Sequence, residues 1–300
     1  MLSRLRAYFS ERYPLFQGLL VGYILCFEVY FLVLLLGGRA SFQVGLGEAS
    51  VGFTLFAFLL NLRIADDFKD DATDKKLFPD RPLASGRTRK SDLVWVLLIL
   101  DAAVIALNVA FVGNHLFFAA LVAYGVLMSF WFFQRHRIQH NLVLALVTHN
   151  PVQLVMNLYV ITFACARAEL PVATWDNLLV LFSLYFPGLV WELGRKVRAP
   201  QDETDYVTYS KLFGVRTPVR VIVWVLLVEA VMRAILIYQL YPWAVALVVG
   251  AYAWLLWQCQ VFLRDPKRFT LVTRLVGYVV VVEGLMIVFI VGRLLGWGVA

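Results

Sequence analysis

Charge is scarce in this sequence. Asp, Glu, Lys and Arg make up 16% of its 300 residues, where a soluble domain carries about 25%. With 61% hydrophobic residues and a mean hydropathy of +0.77, the chain has too little polar surface to cover a water-facing globule, which places it in the membrane class. Cysteine is also sparse. The three present, Cys26, Cys165 and Cys259, contain no CxxC pair, which argues against a zinc site and a disulfide framework; they read as small apolar packing residues. No small-residue cleavage site follows the basic N-terminal stretch MLSRLRAYFSERYP. The apolar run after it exceeds a signal-peptide core, so the first span is expected to stay in the mature protein. Low-complexity tracts and Gly/Ser linkers are absent, and residues 1–300 read as a single membrane domain.

What the sequence has in abundance is long apolar runs. Nine can be marked, at 15–36, 49–64, 93–112, 116–133, 142–163, 178–193, 219–238, 242–263 and 271–295. A span needs about 20 residues, and in lipid the backbone must satisfy its own hydrogen bonds, so these runs are read as helices. The second and sixth run straight into charged sequence and are expected to continue as helix beyond the apolar core. The expected fold class is all-α, a polytopic membrane protein.

Basic residues alternate sharply between connections. The N-terminus and the segments 63–90, 134–140, 195–220 and 264–274 hold 23 of the 27 Lys and Arg, leaving Arg39, Arg167, Arg233 and Arg293. Basic loops remain cytoplasmic, so the N-terminus is expected inside and, after nine spans, the C-terminus outside. A bacterial-type inner membrane is the default location. The pI of about 9.4 follows from these loops and points to anionic lipid headgroups, not to nucleic acid. The chain also shows a weak internal symmetry of two pseudo-repeat halves. The second and sixth spans each end in a loop rich in acids and bases, at 66–90 and 192–214, and two such loops on one membrane face suit a composite site.

The first loop begins NLRIADDFKDDATDKKLFPDRPLASGRTR from Asn61. Asp67, Asp70 and Asp74 fall at i, i+3 and i+7, which on a helix puts three carboxylates on one face, flanked by Asp66 and Asp71. Uncompensated, they repel; a divalent cation removes the conflict. Mg²⁺ favours a few carboxylates plus water and phosphate oxygens, so the array suits Mg²⁺ held jointly with a diphosphate. Lys75, Lys76, Arg81 and Arg87 follow, and positive side chains beside metal-binding carboxylates stabilise the charge that develops on a diphosphate leaving group.

Asp67-x-x-Asp70-x-x-x-Asp74 followed by Arg81-Pro82-Leu83-Ala84-Ser85-Gly86 resembles the first signature of UbiA-type prenyltransferases, with Asp66 where the family has Asn and a short spacer between Asp74 and Arg81. The resemblance implies a bundle of nine helices around a central cavity open to lipid. It further implies transfer of a prenyl group from its diphosphate to an acceptor, with Mg²⁺ as cofactor bound by two Asp-rich motifs.

The second segment, WELGRKVRAPQDETDYVTYSKLFG from Trp191, matches the family's second signature loosely. Glu192 stands at the first acid position and Lys196 at the second, Arg195 and Arg198 intrude, and Asp202, Glu203 and Asp205 follow. Two readings stay open. Either Asp202, Glu203 and Asp205 supply a second metal, or Glu192 does so while Arg195, Lys196 and Arg198 bind the diphosphate directly.

Within the spans, His149, Gln153 and Asn157 recur at i, i+4 and i+8 beside Asn150. This polar stripe is suited to an acceptor substrate, and Pro151 is placed to kink the helix. Asp101 with Asn108, Glu229 with Arg233, and Glu283 are also intramembrane, where ionisable residues are functional candidates by default. Glu229 and Arg233, four apart, read most simply as an ion pair. Aromatics, at 15%, suit interfacial belts or an allylic carbocation.

The expected function is therefore Mg²⁺-dependent transfer of a prenyl group from a polyprenyl diphosphate to an aromatic or lipid-like acceptor. Asp67, Asp70 and Asp74 bind metal, and Lys75, Arg81, Arg195 and Lys196 chiefly hold the diphosphate. A low-dielectric chamber keeps water from the cation. Alternatives are terpene cyclisation by the same ionisation, phosphoribosyl transfer to a polyprenyl phosphate and, from a different class, divalent-cation transport.

Overall fold

A computed structural model describes residues 1–39, 42–204 and 206–297. Among these the chain forms helices and no strand. In order they are α1 (Leu2–Glu11), α2 (Leu15–Leu36), α3 (Leu46–Lys69), α4 (Asp71–Leu77), α5 (Lys90–Leu107), α6 (His115–Ser129), α7 (Arg135–Ile138), α8 (Leu142–His149), α9 (Val152–Ala168), α10 (Trp175–Ser183), α11 (Tyr185–Gly194), α12 (Tyr209–Phe213), α13 (Arg216–Leu240), α14 (Val245–Arg264) and α15 (Leu271–Leu294). Single turns add Asn108–Val112 after α5 and Trp131–Phe133 after α6.

Eight helical segments are long and apolar enough to span a bilayer: Leu15–Leu36, Leu46–Lys69, Lys90–Val112, Leu142–Ala168, Trp175–Gly194, Arg216–Leu240, Pro242–Arg264 and Leu271–Leu294. Seven contain an expected run whole, and the last, Leu271–Leu294, ends one residue before its run does. The remaining run, 116–133, is helical only as far as Ser129 in α6, whose 15 residues reach about 22 Å at 1.5 Å per residue, short of a hydrocarbon core of about 30 Å. The chain is an integral, multi-pass membrane protein. Its outer surface agrees: Lys90–Val112 has a hydropathy of 2.5 yet only 17% of its apolar window is buried, and Trp95, Leu98, Ile99, Ile105 and Val109 are exposed. In water such a face is a liability; in lipid it faces its solvent.

The chain divides into two compact units that interleave in sequence. One comprises residues Met1–Phe27, Gln43–Arg135 and Leu158–Phe163; the other Glu28–Phe42, His136–Asn157 and Ala164–Ala300. In the first unit, Leu5 and Tyr8 of α1 pack with Phe56, Ala57, Leu60 and Ile64 of α3 and with Leu93 and Val104 of α5. The N-terminal half of α2 approaches α3 closely at Gly22, where a Cβ would lie 2.6 Å from the Phe56 nitrogen. In the second unit, Val190 and Leu193 of α11, Ile222 and Leu226 of α13, Leu255 and Phe262 of α14, and Leu275 and Tyr278 of α15 form one core. Cys26, Cys165 and Cys259 are free and buried, as small packing residues should be.

Candidate functional site

The aspartate array lies at the end of the second span, as its spacing predicts, but not on one unbroken helix. Asp67 sits in the last turn of α3 and Asp74 in α4. Asp70 is the junction, with φ −94° and ψ 2°. Backbone bonds from Asp70 N to Asp66 O (2.9 Å) and from Asp74 N to Asp70 O (2.8 Å) carry the helical path through this break, so the three residues stay clustered.

Their side chains have different surroundings. Asp67 is buried. Its Oδ2 accepts from the Tyr8 hydroxyl at 2.8 Å and Arg12 Nε at 3.2 Å, while Arg12 and Arg63 both pair with Oδ1. Asp74, also buried, pairs with Arg81 at 2.6 Å. Asp71 meets Lys90 at 2.8 Å and Lys75 at 3.1 Å; the Lys90 hydrogen bond, helped by Lys75, holds its carboxyl below the usual range. Lys69 reaches back to Asp66 at 2.7 Å. Asp70 alone of the array has neither a side-chain hydrogen bond nor an ion pair among the described residues. Burial at the helix junction, and then the Asp66 carboxylate, push its carboxyl above the usual range. The cations named here outnumber the aspartates, but Asp70 itself faces the carboxylates of Asp66, Asp74 and Asp67 against the Lys69 ammonium alone, a like-charge conflict at one side chain that a cation relieves.

The turn after α4 fixes Arg81. Ser85 N bonds Arg81 O at 2.9 Å, Thr88 N bonds Pro82 O at 2.9 Å, and Gly86 takes φ +78°, a backbone that glycine adopts without Cβ strain. The Arg81 guanidinium lies 3.9 Å over the Phe78 ring. Among the described residues Lys75 is bound to Asp71, and its side chain is 55% exposed, within reach of a ligand from solvent.

Tyr8, Arg12 and Arg63 were not among the expected site residues. Arg63 precedes Asp67 by one helical turn and was legible as an i, i+4 pair. Tyr8 and Arg12, also four apart, are brought by α1, which is pinned to the start of α5 by Arg4 on Asp92 (2.6 and 2.9 Å) and by Thr88 Oγ1 on the Arg4 carbonyl (2.9 Å).

In the second unit, Glu192 is paired with Arg195 (2.5 Å) and Lys196 (2.9 Å), i, i+3 and i, i+4 neighbours on the end of α11. Glu203 accepts from Thr208 Oγ1 at 2.7 and 2.8 Å and from Ser210 Oγ at 2.6 Å, which ties the loop to the start of α12. Arg198 donates to Thr204 at 3.0 Å. Arg195, Arg198 and Asp202 line a cavity of about 270 Å³ closed by Phe262, Phe269 and Thr270. Asp205 lies outside the described residues. Of this group the structure thus brings together two cations with Glu192, and leaves Asp202 at a cavity with Arg195 and Arg198.

The polar stripe of the fifth run is broken where Pro151 predicts, between α8 and α9. Gln153 donates to Asn157 at 3.1 Å, and buried Asn157 donates to the Leu181 carbonyl at 2.9 Å. His149 Nδ1 lies 3.1 Å from the Ala145 carbonyl. Asn150 Oδ1 is buried without a hydrogen-bond partner among the described residues, which leaves an acceptor at the kink. Asp101 binds Asn61, not Asn108; Asn108 binds Thr54 (2.8 Å) and Tyr159 (2.6 Å).

No known family model matches the chain, and no curated protein matches it in sequence. A solved structure of digeranylgeranylglyceryl phosphate synthase, studied in membranes, is similar over 97% of this chain and 99% of that one, with a TM-score of 0.65 at 12% identity. That synthase is a UbiA-type intramembrane prenyltransferase. The fold implied by the aspartate signature is therefore the fold observed, along nearly the whole chain.

The residues present fit a cation of the Mg²⁺ kind only in part as a preformed cage. Among the described residues no three His, Cys, Asp or Glu side chains converge on a metal position. Asp70, with Asp66 and Asp74 beside it, offers the one or two carboxylates that Mg²⁺ takes when phosphate oxygens and water complete its shell.

Proposed function

We propose that the chain is a Mg²⁺-dependent intramembrane transferase that ionises a polyprenyl diphosphate and passes the prenyl group to an aromatic or lipid-like acceptor. The observation that carries this reading is the unpartnered Asp70 carboxylate between two aspartates anchored by arginines, at the end of α3, in a UbiA-type fold. The name of the solved neighbour, a synthase of a prenylated glyceryl phosphate, supports a lipid-like acceptor.

In this reading the chain's own residues divide the work. Asp70 and Asp74 hold the metal, with Asp67 fixed by Tyr8, Arg12 and Arg63 so that its charge is presented in one position. Arg81, already poised at Asp74, and exposed Lys75 contact the diphosphate. In the second unit, Arg195, Lys196 and Arg198 offer positive charge of the kind a phosphate takes. When bound, Mg²⁺ neutralises charge that builds on the departing diphosphate. Asn150 and His149, at the kink of the fifth run, orient the acceptor. Apolar walls keep water from the allylic cation. Membrane location follows the basic loops: N-terminus cytoplasmic and, with the short α6 counted as a ninth crossing, C-terminus outside, in a bacterial-type inner membrane.

The deciding experiment is donor turnover in detergent or liposomes. Purified chain is incubated with Mg²⁺ and prenyl diphosphates from geranyl upward, with and without membrane lipid extract, and diphosphate release and product mass are followed. Release that stops with EDTA, returns with Mg²⁺ and falls with Asp70→Asn supports the proposal. Product mass separates transfer from cyclisation. No release from any prenyl donor sinks the prenyltransferase reading.

A further inference from the structure

The second unit buries a group of charged residues that the proposed reaction does not use. Arg233 of α13 is 0% exposed. Its Nε donates to Glu229 one turn earlier at 2.5 Å, Nη2 to Glu283 of α15 at 2.7 Å and to the Ser183 carbonyl at 3.1 Å, and Nη1 to Glu283 at 3.2 Å. Tyr278 of α15 donates to the other oxygen of Glu229 at 2.6 Å. A guanidinium has five N–H donors, and these contacts occupy four of them. The fifth belongs to Nη1, whose remaining neighbour is Glu28 of α2, 3.8 Å away and beyond hydrogen-bond reach. Glu28 is 4% exposed, and its Oε1 has no hydrogen-bond partner among the described residues.

The charge count decides what this means. Three carboxylates and one guanidinium, all ionised, leave a net charge of −2 inside membrane-spanning helices. Glu229 has an arginine and a phenol, and Glu283 has two guanidinium bonds. Glu28 has only a distant share of a cation already committed elsewhere, and an unpaired ion in such surroundings costs several kcal/mol. A proton removes that cost at once, and it makes Glu28 a donor beside the Glu283 carboxylate.

We propose that Glu28, Glu229 and Glu283 form with Arg233 an intramembrane proton-binding site, in which Glu28 carries the proton at neutral pH. Glu283, whose side chain is 17% exposed against 2% or less for the other acids and the arginine, is the contact through which that proton exchanges. No bond in the chain is made or broken beyond the O–H itself. The site ties α2, α13 and α15 together while holding one exchangeable proton in lipid.

Infrared difference spectroscopy of the full chain in liposomes tests this without reference to transferase activity. Wild-type protein is expected to show a protonated-carboxyl band at neutral pH, shifted in D₂O and missing in Glu28→Gln. Persistence of the band in Glu28→Gln, or its absence from wild type, overturns the proposal. Thermal unfolding gives a second reading. Glu28→Gln mimics the protonated acid and is expected to match or exceed wild type, whereas Glu283→Gln strips a paired charge and lowers the melting temperature by several degrees. If Glu28→Gln falls as far as Glu283→Gln, Glu28 is an ionised partner of Arg233 and the proposal fails. Stabilisation of wild type by NaCl over choline chloride, lost in Glu28→Gln, would instead make the ligand a metal ion.

Discussion

Two acidic clusters in this chain solve the same electrostatic problem in opposite ways. At the end of α3, Asp66, Asp67, Asp71 and Asp74 each have at least one Lys or Arg partner, and among the described residues Asp70 has none. In the spans of the second unit, three glutamates converge on one arginine. Beside water, an unsatisfied carboxylate is tolerable and waits for an exchangeable ligand. Inside lipid the same group must be neutralised where it stands. The lesson is that an unpartnered acid has different meanings at different depths: a ligand site at the membrane surface, a held proton within it.

The contrast can be broken most violently at Arg233. Arg233→Gln leaves the Glu229 and Glu283 carboxylates without their cation and is expected to cost about 3–5 kcal/mol, read as loss of folded protein in thermal unfolding or size exclusion. The matching change on the other side, Asp70→Asn, should do the reverse. It removes a like-charge conflict, so stability holds or rises, while turnover falls by about 10²-fold or more. A parallel loss of stability in Asp70→Asn would mean that the junction aspartate is structural. Tyr8→Phe sharpens the comparison further. It deletes one donor to buried Asp67 at an expected cost of about 1–2 kcal/mol, and it should lower turnover less than Asp70→Asn because Arg12 and Arg63 still fix that carboxylate. Lys75→Ala, at an exposed pair, should leave stability within about 0.5 kcal/mol and show itself only as a raised KM for the prenyl donor.

Legibility followed sequence distance and solvent. The apolar runs announced their helices because lipid leaves the backbone no other choice, and the break at Pro151 was written in a single residue. The i, i+4 pairing of Glu229 with Arg233 was legible too. Glu28 was not, because nothing in a lone glutamate of α2 points to an arginine on α13. The partners of Asp67 split the same way: Arg63 lies one turn off, whereas Tyr8 and Arg12 arrive from a separate helix. The expected end of the fourth run at 133 also missed. The helix stops at Ser129, and Trp131, Phe132 and Phe133 turn left-handed with φ of 55°, 49° and 56°, a conformation bulky residues rarely take and no local pattern foretells.

That aromatic turn inverts the usual rule of substitution. Glycine, ordinarily a poor choice in ordered backbone, is here the residue that fits the dihedral angles freely. It would, however, forfeit the Phe130–Phe133 stacking, with ring centroids 6.0 Å apart, and the Lys69 ammonium 4.9 Å from the Trp131 ring. Drift at 131–133 is thus a contest between backbone and ring, and the present spelling records that the ring prevailed.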